Sequence, residues 1–265
     1  MVMNESNVTR VFVLDYGKGF NIEEFFPFFS EERMRKIENC RHSDMRVQLA
    51  AAEITVCAAM KSIGRDYAPP RYNYAACGMP CMEGGYISIT HTHGIAACAV
   101  SHQRVGIDVE RIRPVNHLLA ARILCDEELA EFRKLIELRK PIAPDKEEKL
   151  CGSMDADDYI LQAWTAKESV LKLTGAGLGG GMKSFLYDKN RNYIRANANG
   201  VQYPVDMLKL VVSECRRGNE VLDSRNALLA VCTETQTELK VFMTDSPSEC
   251  FEGNMIPMTM SRFDM

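Results

Sequence analysis

The tightest constraint on the fold lies between Tyr86 and Glu110, where three short apolar and β-branched runs follow one another almost without interruption. Tyr86–Thr90, Ile95–Val100 and Val105–Glu110 each read as a strand. Thr92-His93-Gly94 separates the first two and Ser101–Arg104 the last two, breaks that fit antiparallel hairpins. Around this block the spacing turns helical. Ser30-Glu31-Glu32 opens one candidate helix, and Leu49 to Ile63 is Ala-rich with the apolar spacing of a buried one. Beyond Pro114, His117 to Arg139 reads as a long amphipathic helix and Tyr159 to Thr174 as another.

Val8–Leu14 reads as an opening strand, and Ser184–Tyr187, Leu210–Ser213, Leu228–Thr233 and Leu239–Met243 return to a β-like pattern late in the chain. The expectation is an α+β fold of two similar halves, each with a small antiparallel sheet packed on helices. Residues 1–113 form the N-terminal half, 114–245 the C-terminal half, and 246–265 a loose tail without a clear period. Lys140 to Asp158, rich in proline and charge, reads as an exposed insertion.

Composition matters where it excludes partners. A net charge of −4 supplies no global field for nucleic acid or an anionic membrane, so an anionic ligand must meet local charge. No apolar run approaches the roughly 20 residues of a membrane span, and Met1–Arg10 lacks the apolar core of a signal peptide. The expected location is cytoplasmic. The ten cysteines are scattered, without a Cys-x-x-Cys pair, and read as reduced thiols used as small hydrophobes.

Two acidic signals carry chemistry. In Gly106-Ile107-Asp108-Val109-Glu110 the carboxylates are two apart on a strand, so both point to one face, roughly 6.5–7 Å apart at Cα. Hard oxygens at that spacing suit Mg²⁺, although the same pattern also describes a solvated strand end. In Trp164-Thr-Ala-Lys167-Glu168-Ser169, with Lys172 following, Trp164, Glu168 and Lys172 share one helical stripe. Glu168 and Lys172 read either as a surface ion pair or as a third carboxylate and a cation for phosphate. The Gly175–Gly181 run follows a helix rather than opening one, so it is a helix stop and not a P-loop. Thr90-His91-Thr92 could offer phosphate a hydroxyl and an imidazole. Arg33, Lys36, Arg41 and Arg46 read as surface charge or, as a group, as a receiver for a terminal phosphate.

Thr90-His91-Thr92, then Gly106-Ile107-Asp108-Val109-Glu110, then Trp164-Thr-Ala-Lys167-Glu168-Ser169-x-x-Lys172-x-x-Gly175-x-Gly177-Leu178 occur in an order that resembles the 4′-phosphopantetheinyl transferases. The chain length resembles the long, Sfp-like class, and the likeness covers roughly residues 8–245. The resemblance implies a pseudo-dimer with its active site between the halves, acting as a monomer. It implies Mg²⁺ held by Asp108, Glu110 and Glu168 on the pyrophosphate of coenzyme A. Glu168 would help deprotonate a serine hydroxyl of an acyl or peptidyl carrier protein, and Lys172 would offset phosphate charge. Thr90, His91, Arg46 and Lys172 would contact the coenzyme, with adenosine 3′,5′-bisphosphate as product. Met79 departs from the Lys or Arg usual before Pro80, and the Lys140–Asp158 segment is longer than usual. These departures favour the alternative, a non-catalytic relative that binds coenzyme A or a carrier.

Overall fold

The computed structural model describes residues 7–76, 78–138, 156–177, 181–217, 220–222, 226–255, 257 and 258. β1 (Val8–Asp15) opens it, followed by a 3-10 segment over Ile22–Phe28, α1 (Glu31–Asn39) and α2 (Ser43–Ser62). Ser30 caps α1 by accepting the Arg33 N–H. Then come β2 (Asn73–Tyr74), β3 (Pro80–Met82), β4 (Gly85–Thr92), β5 (Ile95–Ser101) and β6 (Val105–Arg111). The helices α3 (Ala120–Ile123), α4 (Asp126–Leu138) and α5 (Ala156–Thr174) precede β7 (Phe185–Asp188), β8 (Tyr193–Ala196) and β9 (Gln202–Val211). A short ribbon of β10 (Cys215–Arg217) and β11 (Glu220–Leu222), then β12 (Asn226–Thr233), β13 (Glu238–Thr244) and α6 (Pro247–Glu252), complete the elements.

The strands form two main sheets, ordered β13-β1-β5-β4-β3-β2 and β6-β12-β9-β8-β7. Their alternating faces make three cores. Val11, Val13, Ile107, Val109, Leu229 and Val231 fill the space between the sheets. Phe12, Leu14, Ala96 and Cys98 face the Ala-rich α2, while Leu228, Ala230 and Cys232 face α5. The result is a helix–sheet–sheet–helix stack. Both halves follow one plan, β1–α2–β4–β5 and β6–α5–β9–β12. In each, the first strand pairs antiparallel with the last. The expected α+β class holds.

Several expectations need correction. β6 does not hairpin with β5; it crosses to the second sheet and pairs with β12. The strand of Asp108 and Glu110, read as the end of the first half, is therefore an edge of the second half's sheet. Its free edge is sealed by side chains: Ile107 N–H donates to Ser88 Oγ (3.1 Å) and Val109 N–H to Thr90 Oγ1 (3.3 Å). The first sheet is not wholly antiparallel either, since β13 lies parallel to β1. The helix expected over His117–Arg139 is broken at Leu124-Cys125, because the Glu128 carboxylate takes the Cys125 N–H (2.8 Å) and starts α4 there. The tail begins with a docked helix rather than loose chain. Ser246 accepts the Glu249 N–H, Gly253 closes α6 at φ 71°, and Cys250 is fully buried. The insertion lies outside the described residues as far as 155. Among the described residues seven cysteines are free thiols, five of them buried, as expected of reduced hydrophobes.

Candidate active site

Gly106 sets the geometry. A Cβ there would lie 1.9 Å from the Ser169 carbonyl oxygen and 2.6 Å from the Leu173 nitrogen, both backbone atoms of α5. Only a residue without a side chain lets the helix lie this close to β6. Gly106, Asp108 and Glu110 share the face that meets α5, so the close approach brings Glu168 and Lys172 over the two acids.

Lys172 Nζ donates to Asp108 Oδ1 (2.8 Å) and to the Ile107 carbonyl (2.9 Å). Thr90 Oγ1 donates to the same Asp108 oxygen (3.1 Å). The other oxygen, Asp108 Oδ2, is buried without a protein partner, as is Glu168 Oε1. Glu110 lies within 3.3 Å of the Arg113 guanidinium. Burial and then the neighbouring Asp108 push the Glu110 carboxyl up to about 7, and the same two causes raise Glu168. Three carboxylates thus repel one another across the strand–helix contact, and two of them present orphaned oxygens. That donor set fits a hard divalent cation. As the side chains stand, no three acidic, cysteine or histidine groups among the described residues converge closely enough to hold a metal. The Lys172 ammonium takes that place beside Asp108.

Next to the acids opens a cleft of about 300 Å³, lined among others by Arg33, Tyr74, Met79, His91, Leu171 and Lys172. Its charged groups are cationic. Arg33 is buried with its Nε on Glu53 (2.9 Å) and a terminal nitrogen on the Tyr72 hydroxyl (3.2 Å), and Tyr72 also donates to Glu53. This fixes the guanidinium in the wall. Burial, then Lys172 and Arg33, hold His91 down to about 4. A cleft with cations on one side and orphaned carboxylate oxygens on the other can take a ligand rich in phosphate through direct charge and through a bridging metal.

Residues 104–205, which span β6 to β9, match the 4′-phosphopantetheinyl transferase superfamily. The likeness to that superfamily covers 102 of the 265 residues. The chain is 25% identical over 167 residues to the 4′-phosphopantetheinyl transferase Sfp of Bacillus subtilis (strain 168), covering 62% of this chain and 67% of that protein. A second Bacillus subtilis 4′-phosphopantetheinyl transferase is 26% identical, over 57% of this chain and 63% of its own length. The 4′-phosphopantetheinyl transferase HetI of a Nostoc species is 29% identical, over 44% of this chain and 46% of its own length. The chain therefore matches about two thirds or less of these relatives' length.

The sequence-expected residues fall into two groups. Asp108, Glu110, Glu168, Lys172 and His91 lie at or beside the cleft. The isolated Glu168–Lys172 surface pair is not what forms, because Lys172 reaches the strand instead. Thr90 is buried and its hydroxyl is engaged by Asp108 and Val109, so it orients the acid. Arg46 sits on the first turns of α2 with its Nε buried and unpartnered, outside the cleft lining. Of the four basic residues, Arg33 is held by Glu53 and Lys36 pairs with Glu32. The Gly175–Gly181 run does end a helix, with φ of 70° at Gly175 and 57° at Gly177, while Leu178 lies outside the described residues.

The sequence reading passed over three supporting parts. Lys167 is fully buried and pairs with Glu128 while donating to the Ile123 carbonyl (2.8 Å), which ties α5 to the α3–α4 turn. Ser88 seals β6. Glu53, an acid within an Ala-rich buried run, anchors Arg33, and an acid in such a setting is the signal that it needs a buried cation.

Proposed function

We propose that this chain transfers the 4′-phosphopantetheine group of coenzyme A to a serine hydroxyl of an acyl or peptidyl carrier protein. The reading is carried by one observation: α5 lies against β6 so that Glu168 and Lys172 stand over Asp108 and Glu110 at the mouth of a cationic cleft. In it, Asp108, Glu110 and Glu168 would hold a Mg²⁺ ion. That ion, when bound, neutralises charge on the pyrophosphate and polarises its phosphorus–oxygen bonds. Glu168, with its proton affinity raised by burial, accepts the proton of the serine hydroxyl. The serine oxygen attacks the β-phosphorus, the bond to the α-phosphate oxygen breaks, and adenosine 3′,5′-bisphosphate leaves. Lys172 offsets charge on the departing phosphate. Arg33 and His91 line the part of the cleft that takes the coenzyme. Thr90 holds Asp108 in place. The protein acts as a monomer, in the cytoplasm, and no helix among its described residues is long and apolar enough to cross a membrane.

Purified protein with Mg²⁺, coenzyme A and a panel of apo carrier proteins should add phosphopantetheine mass to at least one carrier. If every carrier stays unmodified while an authentic transferase labels them, the reading fails. Binding of coenzyme A or a carrier without product under any metal would establish the non-catalytic alternative.

A further inference from the structure

His91 has one protein partner that decides its chemistry. Gln48, on the second turn of α2, is buried at 6% exposure, and its side-chain Oε1 lies 3.0 Å from His91 Nδ1. A carbonyl oxygen only accepts, so Nδ1 must carry the hydrogen. The other ring nitrogen, Nε2, is then left with a lone pair. His91 lines the cationic cleft, while Gln48 on its far side lines a separate small cavity with Asp44, Val47 and Tyr16. Thus one buried amide, reached from a different helix, governs what the imidazole offers a ligand.

We propose that Gln48 is a positioning residue that fixes His91 as the Nδ1–H tautomer, so that the cleft takes a phosphate oxygen at Nε2 only with uptake of a proton. The second clause rests on the coenzyme A reading above; the first does not. The charged groups facing the ring are cations: Lys172 from α5, Arg33 from α1, and the neighbouring His93 when protonated. Burial and then these cations keep the free ring neutral, and a phosphate dianion offsets the cations by supplying the opposite charge. Ligand binding and protonation of His91 are therefore coupled. Below neutral pH the apparent affinity for a phosphate ligand rises, by up to tenfold per pH unit over the range in which the ring is neutral when free and protonated when bound.

The test begins on the ligand-free protein with long-range ¹⁵N–¹H correlation of the five histidine rings, His91 being assigned by its absence in His91→Gln. At pH 7.5 the expected result is a protonated Nδ1 and an unprotonated Nε2. Gln48→Met should release that preference, while Gln48→Glu, which keeps an acceptor in place, should retain it. Circular dichroism on both variants guards against misfolding. A protonated Nε2 in the wild type, or an unchanged tautomer in Gln48→Met, overturns the assignment. Titration calorimetry with coenzyme A in two buffers of different ionisation enthalpy then counts protons. Uptake approaching one proton in the wild type, lost in Gln48→Met, is expected. Binding without uptake overturns the coupling. Absence of coenzyme A binding overturns the functional reading and the coupling together, and leaves the tautomer to the spectrum.

Discussion

Gly106→Ala isolates the contact on which the site depends. The added Cβ would meet the Ser169 oxygen at 1.9 Å and the Leu173 nitrogen at 2.6 Å. Both are backbone atoms inside α5, so neither can turn aside. Restoring ordinary contact near 3.5 Å requires the helix to retreat by about 1.5 Å. Overpacking of this kind costs about 1–3 kcal/mol. For a chain of this length that is a fall in Tm of roughly 2–12 °C. The catalytic effect should be larger than the stability effect. Glu168 and Lys172 ride on the displaced helix while Asp108 and Glu110 stay on β6, and a misplacement of about 1 Å can reduce rate by about 100-fold. The assay is kcat/KM for carrier modification well below the variant's Tm, with circular dichroism to confirm folded protein. A fall of about 100-fold or more in folded protein is expected. Wild-type kcat/KM together with a wild-type Tm would refute the reasoning, because it would mean that β6 and α5 are not in contact at Gly106.

Other outcomes follow from the same geometry. Glu168→Gln keeps the shape and removes the proposed proton acceptor and metal ligand, so transfer should be abolished with an unchanged circular dichroism spectrum. Millimolar Mg²⁺ should raise the Tm of the wild type but not of Asp108→Asn, read by calorimetry without substrate, since the orphaned oxygens then gain a partner. Lys167→Met strands the buried Glu128 carboxylate and should destabilise the protein by about 3–5 kcal/mol, whereas adding Glu128→Gln recovers much of that in a urea melt. His91 is held down to about 4 in the folded protein against 6.5 for the free side chain. The unfolded chain takes up this proton first, so the stability linked to His91 is complete above pH 6.5. It falls away as pH drops through 4, by roughly 3 kcal/mol. His91→Gln should flatten that part of the stability–pH curve.

The strands were legible where neighbours in sequence share one environment. β1, β5 and β12 fall close to the expected runs because a strand buried on both faces shows as a continuous apolar stretch. The short strands β2 and β3 carry no such run and were not foreseen. α6 did carry a signal, Ser246-Pro247 with Glu249 and Gly253, which is the grammar of a capped helix, but it was outweighed by the lack of period in the residues beyond. Partner choice was not legible. Nothing in Val105–Arg111 announces that it leaves β5 for β12, since pairing is decided by which edge offers a matching register and face.

The sequence by itself picked out the candidate site residues. Asp108 and Glu110 share a face because strands alternate, and Glu168 and Lys172 share a stripe because helices repeat every 3.6 residues. Those are local periodicities, and the order of the motifs was enough to point to the superfamily whose model matches residues 104–205. Only the tertiary structure decided what each side chain touches. It sent Lys172 to Asp108 instead of Glu168, put Arg33 on a buried glutamate, engaged Thr90 with the acid, and set Gln48 behind His91. Such pairings join residues up to 64 positions apart. They depend on how closely a helix and a strand approach, and here that distance is set by the missing Cβ of Gly106.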